Sequence, residues 1–243
     1  MRIPRFYFSH QLALHTNVEL PAEVFRHAIQ VLRLTVGEQL ILFNGQGGEY
    51  QATLQSVGKR NASVSLDHFN AYDPEAPITI TLVQAIIKPD KMDFALQKAV
   101  ELGVSAIQPL ITQRSVVRMG KEQADKKQQH WQGIVTAACE QSGRTRLPTV
   151  HAPLSLEDWL IAKGSGTHLI LVPGDYPRIN ALPAQLEPPL SLLIGPEGGF
   201  TEEEVQLCLQ YGLQGISLGP RILRAETATL AALALLQHHY GDL

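Results

Sequence analysis

Cysteine is scarce in this sequence, which has two cysteines, Cys139 and Cys208, in 243 residues. Two thiols are too few for a disulfide framework, so a reduced compartment is expected. Long apolar runs are also missing, because none approaches the roughly 18 residues that a membrane span needs. The first ten residues, MRIPRFYFSH, hold neither the apolar segment nor the cleavage site of a signal peptide. We therefore expect a cytoplasmic protein without a membrane partner.

Several signatures of well-known catalytic and binding sites are absent too. The nine histidines show no H-x-x-x-H spacing and the cysteines no C-x-x-C spacing, so no metal site is expected. There is no G-x-S-x-G, and hence no serine-hydrolase nucleophile. The net charge of −3, from 20 basic and 23 acidic residues, excludes a strongly basic nucleic-acid coat but leaves room for a local basic patch.

The residues that are present divide the chain into two parts. Residues 1–72 contain alternating or apolar segments typical of strands, with turns at NGQGG and GKRN and one short amphipathic helix. The stretch AYDPEAP, residues 71–77, is typical of a linker. After it, strand and helix patterns alternate. We predict a β-rich domain at 1–72 and, at 73–243, an α/β domain with a mostly parallel sheet.

Two similar stretches organise the second domain, SLLIGPEGGFT at 191–201 and GISLGPRILRAETA at 215–228. In each, a short apolar run predicts a buried strand that breaks into a Gly-Pro loop and leads into a helix. Thr201 with Glu204 predicts a capping box. Ligands of parallel sheets bind beyond the carboxyl ends of the strands, so these loops and the one in HLILVPG should line one crevice.

The charges of these loops restrict the ligand. Glutamates occupy the first turn of the helix after the first loop, and Glu197 lies in that loop, so a triphosphate would be repelled. Neither the P-loop nor the Rossmann spacing is present in this loop. A neutral or cationic ligand is favoured. Arg221 and Arg224 make the second loop cationic. The alternative is that Glu197 only hydrogen-bonds its own loop and that Arg224 only pairs with Glu226 or caps a strand.

Basic residues elsewhere have two interpretations. Lys88 and Lys91, in IIKPDKMDFALQK, and Arg114 contact RNA phosphates or belong to a solvated charged surface. Arg144 and Arg146, in CEQSGRTR, contact RNA or stabilise the carboxyl end of the preceding helix.

The motifs LLIGPEGGF, LGPRILRAETA, K-P-D-K and CEQSGR, with the opening RIPRFY and the terminal GDL, resemble those of the bacterial 16S rRNA uridine-N3 methyltransferases of the SPOUT superfamily. The resemblance covers essentially the whole chain. It implies a PUA-like, RNA-binding β-barrel at 1–72 and a SPOUT methyltransferase domain at 73–243, whose chain forms a deep trefoil knot. It also implies a homodimer and S-adenosylmethionine as cofactor.

The resemblance also assigns residues. It implies that the cofactor is bound by Leu171, Val172, Pro173, Gly195, Pro196, Gly198, Gly199, Leu218, Gly219, Ile222, Leu223, Thr227 and Ala228. The RNA contacts that we expect are Arg2, Arg5, Lys88, Lys91, Arg114, Arg144 and Arg146. The cofactor is a sulfonium cation without phosphate, which agrees with the acidic, glycine-lined loop inferred from the residues.

The activity implied is methylation of N3 of a uridine in the decoding region of 16S rRNA within the assembled small ribosomal subunit. N3 is protonated at neutral pH, so we expect Arg224 to stabilise the uracil anion and Glu197 or Glu226 to accept the proton. Two alternatives stay open. One is a SPOUT enzyme that methylates a ribose 2′-hydroxyl, and the other is an RNA-binding assembly factor without catalysis.

Overall fold

The computed structural model describes residues 3–115 and 120–243. They form two compact units. The first takes the described residues up to Glu75 together with Cys139–Leu147, and the second takes those of Ala76–Ala138 and Pro148–Leu243. The limit at Glu75 lies close to the domain boundary predicted at residue 72. The segment Cys139–Leu147, by contrast, was expected in the second domain and is grouped with the first.

The first unit is built on a five-stranded sheet with the order β1-β3-β4-β5-β2. Its elements are β1 (Arg5–Tyr7), β2 (Asn17–Glu19), α1 (Ala22–Phe25) continued by a π-helical segment (Arg26–Val31), β3 (Gln39–Phe43), β4 (Glu49–Val57) and β5 (Ala62–Asn70). All pairs are antiparallel except β1 with β3. Alternate residues of β3, β4 and β5 are buried, as period-two apolar patterns require, and they pack with Phe6 and Phe25 into one core.

The second unit holds a seven-stranded sheet in which every recorded pair is parallel. The strand order is β12-β10-β11-β6-β7-β8, and β9 also pairs with β7. The strands are β6 (Ile80–Ala85), β7 (Ala106–Ile111), β8 (Thr149–Val150), β9 (Leu154–Ser155), β10 (Thr167–Leu171), β11 (Leu190–Ile194) and β12 (Gln214–Ile216). The helices are α2 (Pro89–Glu101), α3 (Lys121–Ser142), α4 (Leu156–Ala162), a 3-10 turn (Ile179–Ala181), α5 (Glu202–Gln210) and α6 (Ala225–Tyr240). The last residues of α3, from Cys139 onward, are grouped with the first unit.

Local sequence explains the ends of the helices next to the candidate site. The Oγ1 of Thr201 accepts the backbone N–H of Glu204, and the Glu204 carboxylate accepts that of Thr201, which is the predicted capping box of α5. The helix ends before Gly212, whose φ of +83° suits a glycine. In α2, Pro89 occupies the first turn, where its missing N–H costs no helical hydrogen bond.

Candidate active site

A cavity of about 610 Å³ lies at the carboxyl ends of β10, β11 and β12. In the sheet β10 runs between β11 and β12, so the loops that follow these three adjacent strands converge at one edge. The lining residues are Arg114, Leu171, Val172, Pro173, Tyr176, Ile194, Gly195, Pro196, Glu197, Gly198, Gly199, Phe200, Thr201, Glu202, Val205, Gln206, Leu218, Gly219, Arg221, Ile222, Leu223, Ala225 and Ala228. The predicted crevice is therefore present in the structure.

The loop after β11 needs its glycines for two different reasons. Gly199 has a φ of +68°, in the left-handed region that side chains disfavour. Gly195 has an ordinary φ, but a Cβ there would lie 3.1 Å from a ring carbon of Phe200. The loop can therefore fold tightly and present backbone groups to the cavity.

Hydrogen bonds from two other chain segments hold this loop. On one side, the backbone N–H of Lys88 donates to Glu197 Oε1 at 3.0 Å. On the other side, the backbone N–H of Gln113 donates to Glu204 Oε1 at 2.8 Å. Glu204 is buried, at 4% exposure. The Glu197 carboxylate thus ties the segment after β6 to the loop, and the Glu204 carboxylate ties the segment after β7 to the first turn of α5, which follows the loop.

The loop after β12 presents apolar and cationic groups. The loop begins near Gly219, which has a φ of +108°. Arg221, Ile222 and Leu223, which follow it, line the cavity. Ile222 is 85% exposed, the highest exposure of any large apolar residue in the described chain. Such an exposed apolar side chain beside a cavity is available to a ligand.

The charge of the cavity differs from the acidic pocket expected from sequence. Two carboxylates, Glu197 and Glu202, and two guanidiniums, Arg114 and Arg221, line it. The rest of the lining is mainly apolar side chains and glycine backbone. This balance of charges suits a zwitterionic or weakly charged ligand and gives a polyphosphate no excess of cations.

Almost every residue predicted to bind the cofactor lines this cavity. The exception is Thr227, which is exposed in the first turn of α6 and does not contribute to the lining. The cavity is also lined by Arg114, Tyr176, Phe200 and Val205, which were not predicted from the sequence as cofactor-binding residues. Phe200 directly follows the predicted glycines and Val205 lies in α5, the next helix, whereas no local pattern marks Arg114 or Tyr176.

The three predicted catalytic residues lie close together in the chain fold but differ in environment. Arg224 is exposed at the N-cap of α6, where its backbone carbonyl accepts the N–H of Ala228, and its guanidinium makes no hydrogen bond or ion pair with any described residue. Glu226 is 8% exposed, and its carboxylate lies 3.6 Å from the Nζ of Lys91. Glu197 lines the cavity and accepts the Lys88 N–H described above. Arg224 is thus the one with an uncommitted charged group.

Two of the predicted RNA contacts are buried in ion pairs within the first unit. The side chain of Arg5 is 6% exposed and pairs with Glu49 at 2.9 Å. Arg144, 5% exposed, pairs with Glu75. Both guanidiniums have protein carboxylates as partners, so the structure offers a stabilising role for each.

The other predicted RNA contacts are more accessible. Arg146 is 56% exposed and pairs with Asp73 at 2.8 Å. At the start of α2, Lys88 is exposed and Lys91 is half-buried. Arg114 lies in the cavity wall, and Arg2 lies outside the described residues.

Other kinds of site find no support in the described part of the chain. Burial raises the pKa of Cys139 and of Cys208 to about 12, so neither thiol is a nucleophile at neutral pH. Residues 3–115 and 120–243 contain no cluster of three or more His, Cys, Asp or Glu that could hold a metal ion. None of the described helices is long and apolar enough to span a bilayer.

Family models match both parts of the chain. A model of an RNA methyltransferase domain matches residues 74–237, and a model of an RNA methyltransferase PUA domain matches residues 20–67. The parallel sheet with its three-loop cavity, together with these matches, defines the class of RNA methyltransferases that carry a PUA domain.

Individual relatives narrow the class. Ribosomal RNA small subunit methyltransferase E of Buchnera aphidicola subsp. Schizaphis graminum is 34% identical over 100% of this chain and 98% of its own. The protein of the same name from Rickettsia conorii is 35% identical over 96% of this chain and 95% of its own. The chain belongs to the ribosomal RNA small subunit methyltransferase E family.

Solved structures agree with this membership. A methyltransferase from Legionella pneumophila, in complex with its cofactor SAM, is 40% identical and superposes with a TM-score of 0.96 over 100% of both chains. A ribosomal RNA small subunit methyltransferase E from Neisseria gonorrhoeae, bound to S-adenosyl methionine, is 40% identical with a TM-score of 0.93 over 100% of both chains.

Proposed function

We propose that this protein transfers a methyl group from S-adenosylmethionine to N3 of a uridine in the decoding region of 16S rRNA, in the assembled small ribosomal subunit. Family membership over the whole chain supports an rRNA methyltransferase activity. Relatives solved with bound S-adenosylmethionine support this molecule as the methyl donor. The observation that carries the proposal is the cavity formed by three loops at the carboxyl edge of the parallel sheet. The uridine N3 and the assembled subunit rest on the resemblance of the GPEGG and LGPR motifs.

The cavity fits S-adenosylmethionine in size and chemistry. Its volume of about 610 Å³ is within the usual range for small-molecule sites. The glycine backbone of the loop after β11 and the leucines and valine of the other two loops suit an adenosine with an apolar stem. Carboxylates and guanidiniums are both present for a ligand that carries charges of both signs. Bound there, the cofactor supplies an electrophilic methyl group.

Arg224 is the residue that we assign to stabilise the substrate anion. Loss of the N3 proton leaves negative charge on the uracil oxygens, and a preorganised cation lowers the energy of that charge. The guanidinium of Arg224 makes no ion pair with any described residue, and its neighbours Leu223 and Ala225 both line the cavity. It is therefore beside the cavity and free to bind a substrate oxygen.

Two carboxylates can accept the proton, and the geometry favours Glu197. Glu197 is exposed and lines the cavity, whereas Glu226 is buried, does not line it and lies 3.6 Å from Lys91 Nζ. A general base must reach the proton that it removes, and the exposed carboxylate meets this requirement more directly. Glu226 instead places Lys91 next to the first turn of α6.

The wider assembly is part of the proposal. The RNA substrate is a structured subunit, and the target base leaves its stack to reach the cavity. The PUA domain at the start of the chain contributes RNA contacts. The knot of the methyltransferase domain and a homodimer follow from the resemblance and stay predictions. The protein acts in the cytoplasm, where small subunits are assembled.

The test is transfer of radiolabelled methyl from S-adenosylmethionine to purified small subunits that lack their native modifications, followed by nucleoside analysis. We expect label in N3-methyluridine, with assembled subunits labelled faster than free 16S rRNA. Label in a ribose would contradict the base target while keeping the cofactor. Absence of label together with absence of cofactor binding would contradict the activity and favour an assembly factor.

A further inference from the structure

The turn after β7, Thr112–Ser115, is tightly closed by its own hydrogen bonds. The backbone N–H of Thr112 donates to Ser115 Oγ at 3.1 Å, and the backbone N–H of Ser115 donates to Thr112 O at 3.1 Å. In the sheet β6 lies between β7 and β11, yet this turn contacts the loop that follows β11. A closed turn of this kind holds Gln113 and Arg114 in fixed directions.

Arg114 is anchored on the loop after β11 by polar and apolar contacts. Its Nη1 donates to Gly198 O at 2.8 Å and to Phe200 O at 3.4 Å. A Cβ at Gly198 would lie 3.3 Å from the Cδ of Arg114 and 3.4 Å from its Cβ, so the stem of the arginine packs on the bare glycine. Next to it, Gln113 N–H donates to the buried carboxylate of Glu204. Two hydrogen bonds from Arg114 thus join the turn to the loop, and one from Gln113 joins the turn to the first turn of α5.

We infer that Arg114 is a positioning residue that holds the Gly195–Phe200 loop in the conformation that receives S-adenosylmethionine. The inference rests on the proposed function for the identity of the ligand. Gly198 and Gly199 give the loop its tight path, but glycines lose much conformational freedom when they are ordered. A guanidinium bonded to two carbonyls of the loop reduces the number of conformations open to it before the ligand binds. Preordering of this kind raises affinity.

The contacts argue against the RNA contact that sequence predicts for Arg114. A guanidinium that binds an RNA phosphate would have to turn away from Gly198 and Phe200 or share its donors with them. The cavity-lining position of Arg114 places its charge on the cofactor side of the loop. RNA binding and loop positioning therefore predict different effects of the same substitution.

The experiment measures the affinity of purified Arg114→Ala for S-adenosylhomocysteine by calorimetry without RNA, and separately its affinity for small subunits without cofactor. We expect a dissociation constant for S-adenosylhomocysteine about tenfold higher, as for the loss of a hydrogen-bonded charged donor. The KM for S-adenosylmethionine should rise about tenfold, while kcat at saturation changes less than about twofold. Subunit affinity should stay unchanged. Arg114→Lys keeps the charge and part of the stem packing, so it should recover part of the affinity.

Arg178→Ala is the matched control, because Arg178 is an exposed arginine of the same unit that does not line the cavity. Gly198→Ala perturbs the same contact, because its Cβ would lie 3.3 Å from the Cδ of Arg114 and the arginine stem would have to shift by a few tenths of an ångström. If Arg114 acts through this loop, the effects of Arg114→Ala and Gly198→Ala on the affinity for S-adenosylhomocysteine should be less than additive in the double variant.

Three results would overturn the inference. One is an unchanged affinity of folded Arg114→Ala for S-adenosylhomocysteine, and another is full additivity with Gly198→Ala. The third is weaker subunit binding alone, which would make Arg114 an RNA contact. If the unaltered protein itself does not bind S-adenosylhomocysteine, the proposed function fails, and the inference fails with it.

Discussion

The start of α6 is tied to the sheet by a buried polar pair whose loss should be measurable. Thr229 and Gln84 are both fully buried, and the Thr229 hydroxyl donates to Gln84 Oε1 at 2.7 Å. The same hydroxyl lies 2.9 Å from Ala225 O, one turn earlier in the helix. Ala225 and Ala228 line the cavity, so this pair supports one wall of the site.

Replacing Thr229 by Val keeps the shape of the side chain and removes the donor. Gln84 Oε1 then stays buried without its partner, which costs about 1–3 kcal/mol of unfolding free energy. The double variant Gln84→Met with Thr229→Val removes both polar groups and should recover part of that loss. Thr227→Val is the matched control, because it makes the same change two residues earlier at an exposed position. There we expect a change within about 0.5 kcal/mol.

Urea unfolding followed by tryptophan fluorescence gives the measurement. Both tryptophans of the chain, Trp131 and Trp159, are buried in the second unit, which also holds Thr229. The signal therefore reports the unit that contains the substitution. A Thr229→Val variant as stable as the control would refute the reasoning, and so would a double variant whose loss equals the sum of the two single losses.

Three further predictions concern charge and protonation. Arg224→Ala should lower kcat in single-turnover methylation by about 100-fold or more, with an unchanged S-adenosylhomocysteine affinity; an unchanged kcat would remove Arg224 from the mechanism. Burial raises the pKa of Cys139 and of Cys208 to about 12. Both thiols should therefore resist Ellman's reagent at pH 8 in the folded protein, and both should react in urea. Burial raises the pKa of Glu140 above its ordinary value of 4.5, so its ionised form destabilises the fold. This destabilisation begins as the pH rises past 4.5 and reaches its full size above the raised pKa. Glu140→Gln should therefore raise Tm more at pH 7.5 than at pH 4.5, and an equal shift at both would contradict this origin.

Local patterns were sufficient for the elements that build the cavity. The apolar run before Gly195 marks β11, and the Thr201 and Glu204 pair marks the start of α5, because both depend on neighbours within a few residues. The parallel order of strands then brings the loops to one edge, so the crevice could be predicted without knowing the strand order. The short strands β8 and β9 were not predicted, since two residues are too few to form a pattern.

Long-range partners could not be predicted from the sequence. Arg5 and Arg144 were predicted from the sequence as RNA contacts, but in the structure they pair with Glu49 and Glu75, which lie 44 and 69 residues away. Likewise Arg114 reaches Gly198 across 84 residues. Spacing in the chain contains no signal for such pairs, because they arise only when the sheet brings the segments together.

These pairings bear on which cation can serve the reaction. Lys91 lies near the Glu226 carboxylate, and Arg114 is bonded to loop carbonyls, so the charge of each is partly satisfied by the protein. A group that stabilises a transient anion must be able to bind it when the charge develops, without first breaking an ion pair. Among the described arginines beside the cavity, Arg221 and Arg224 have no protein acceptor. Arg224 is the one at a helix N-cap, so α6 holds its backbone beside the cavity while its guanidinium has no protein partner to leave before it binds a substrate oxygen.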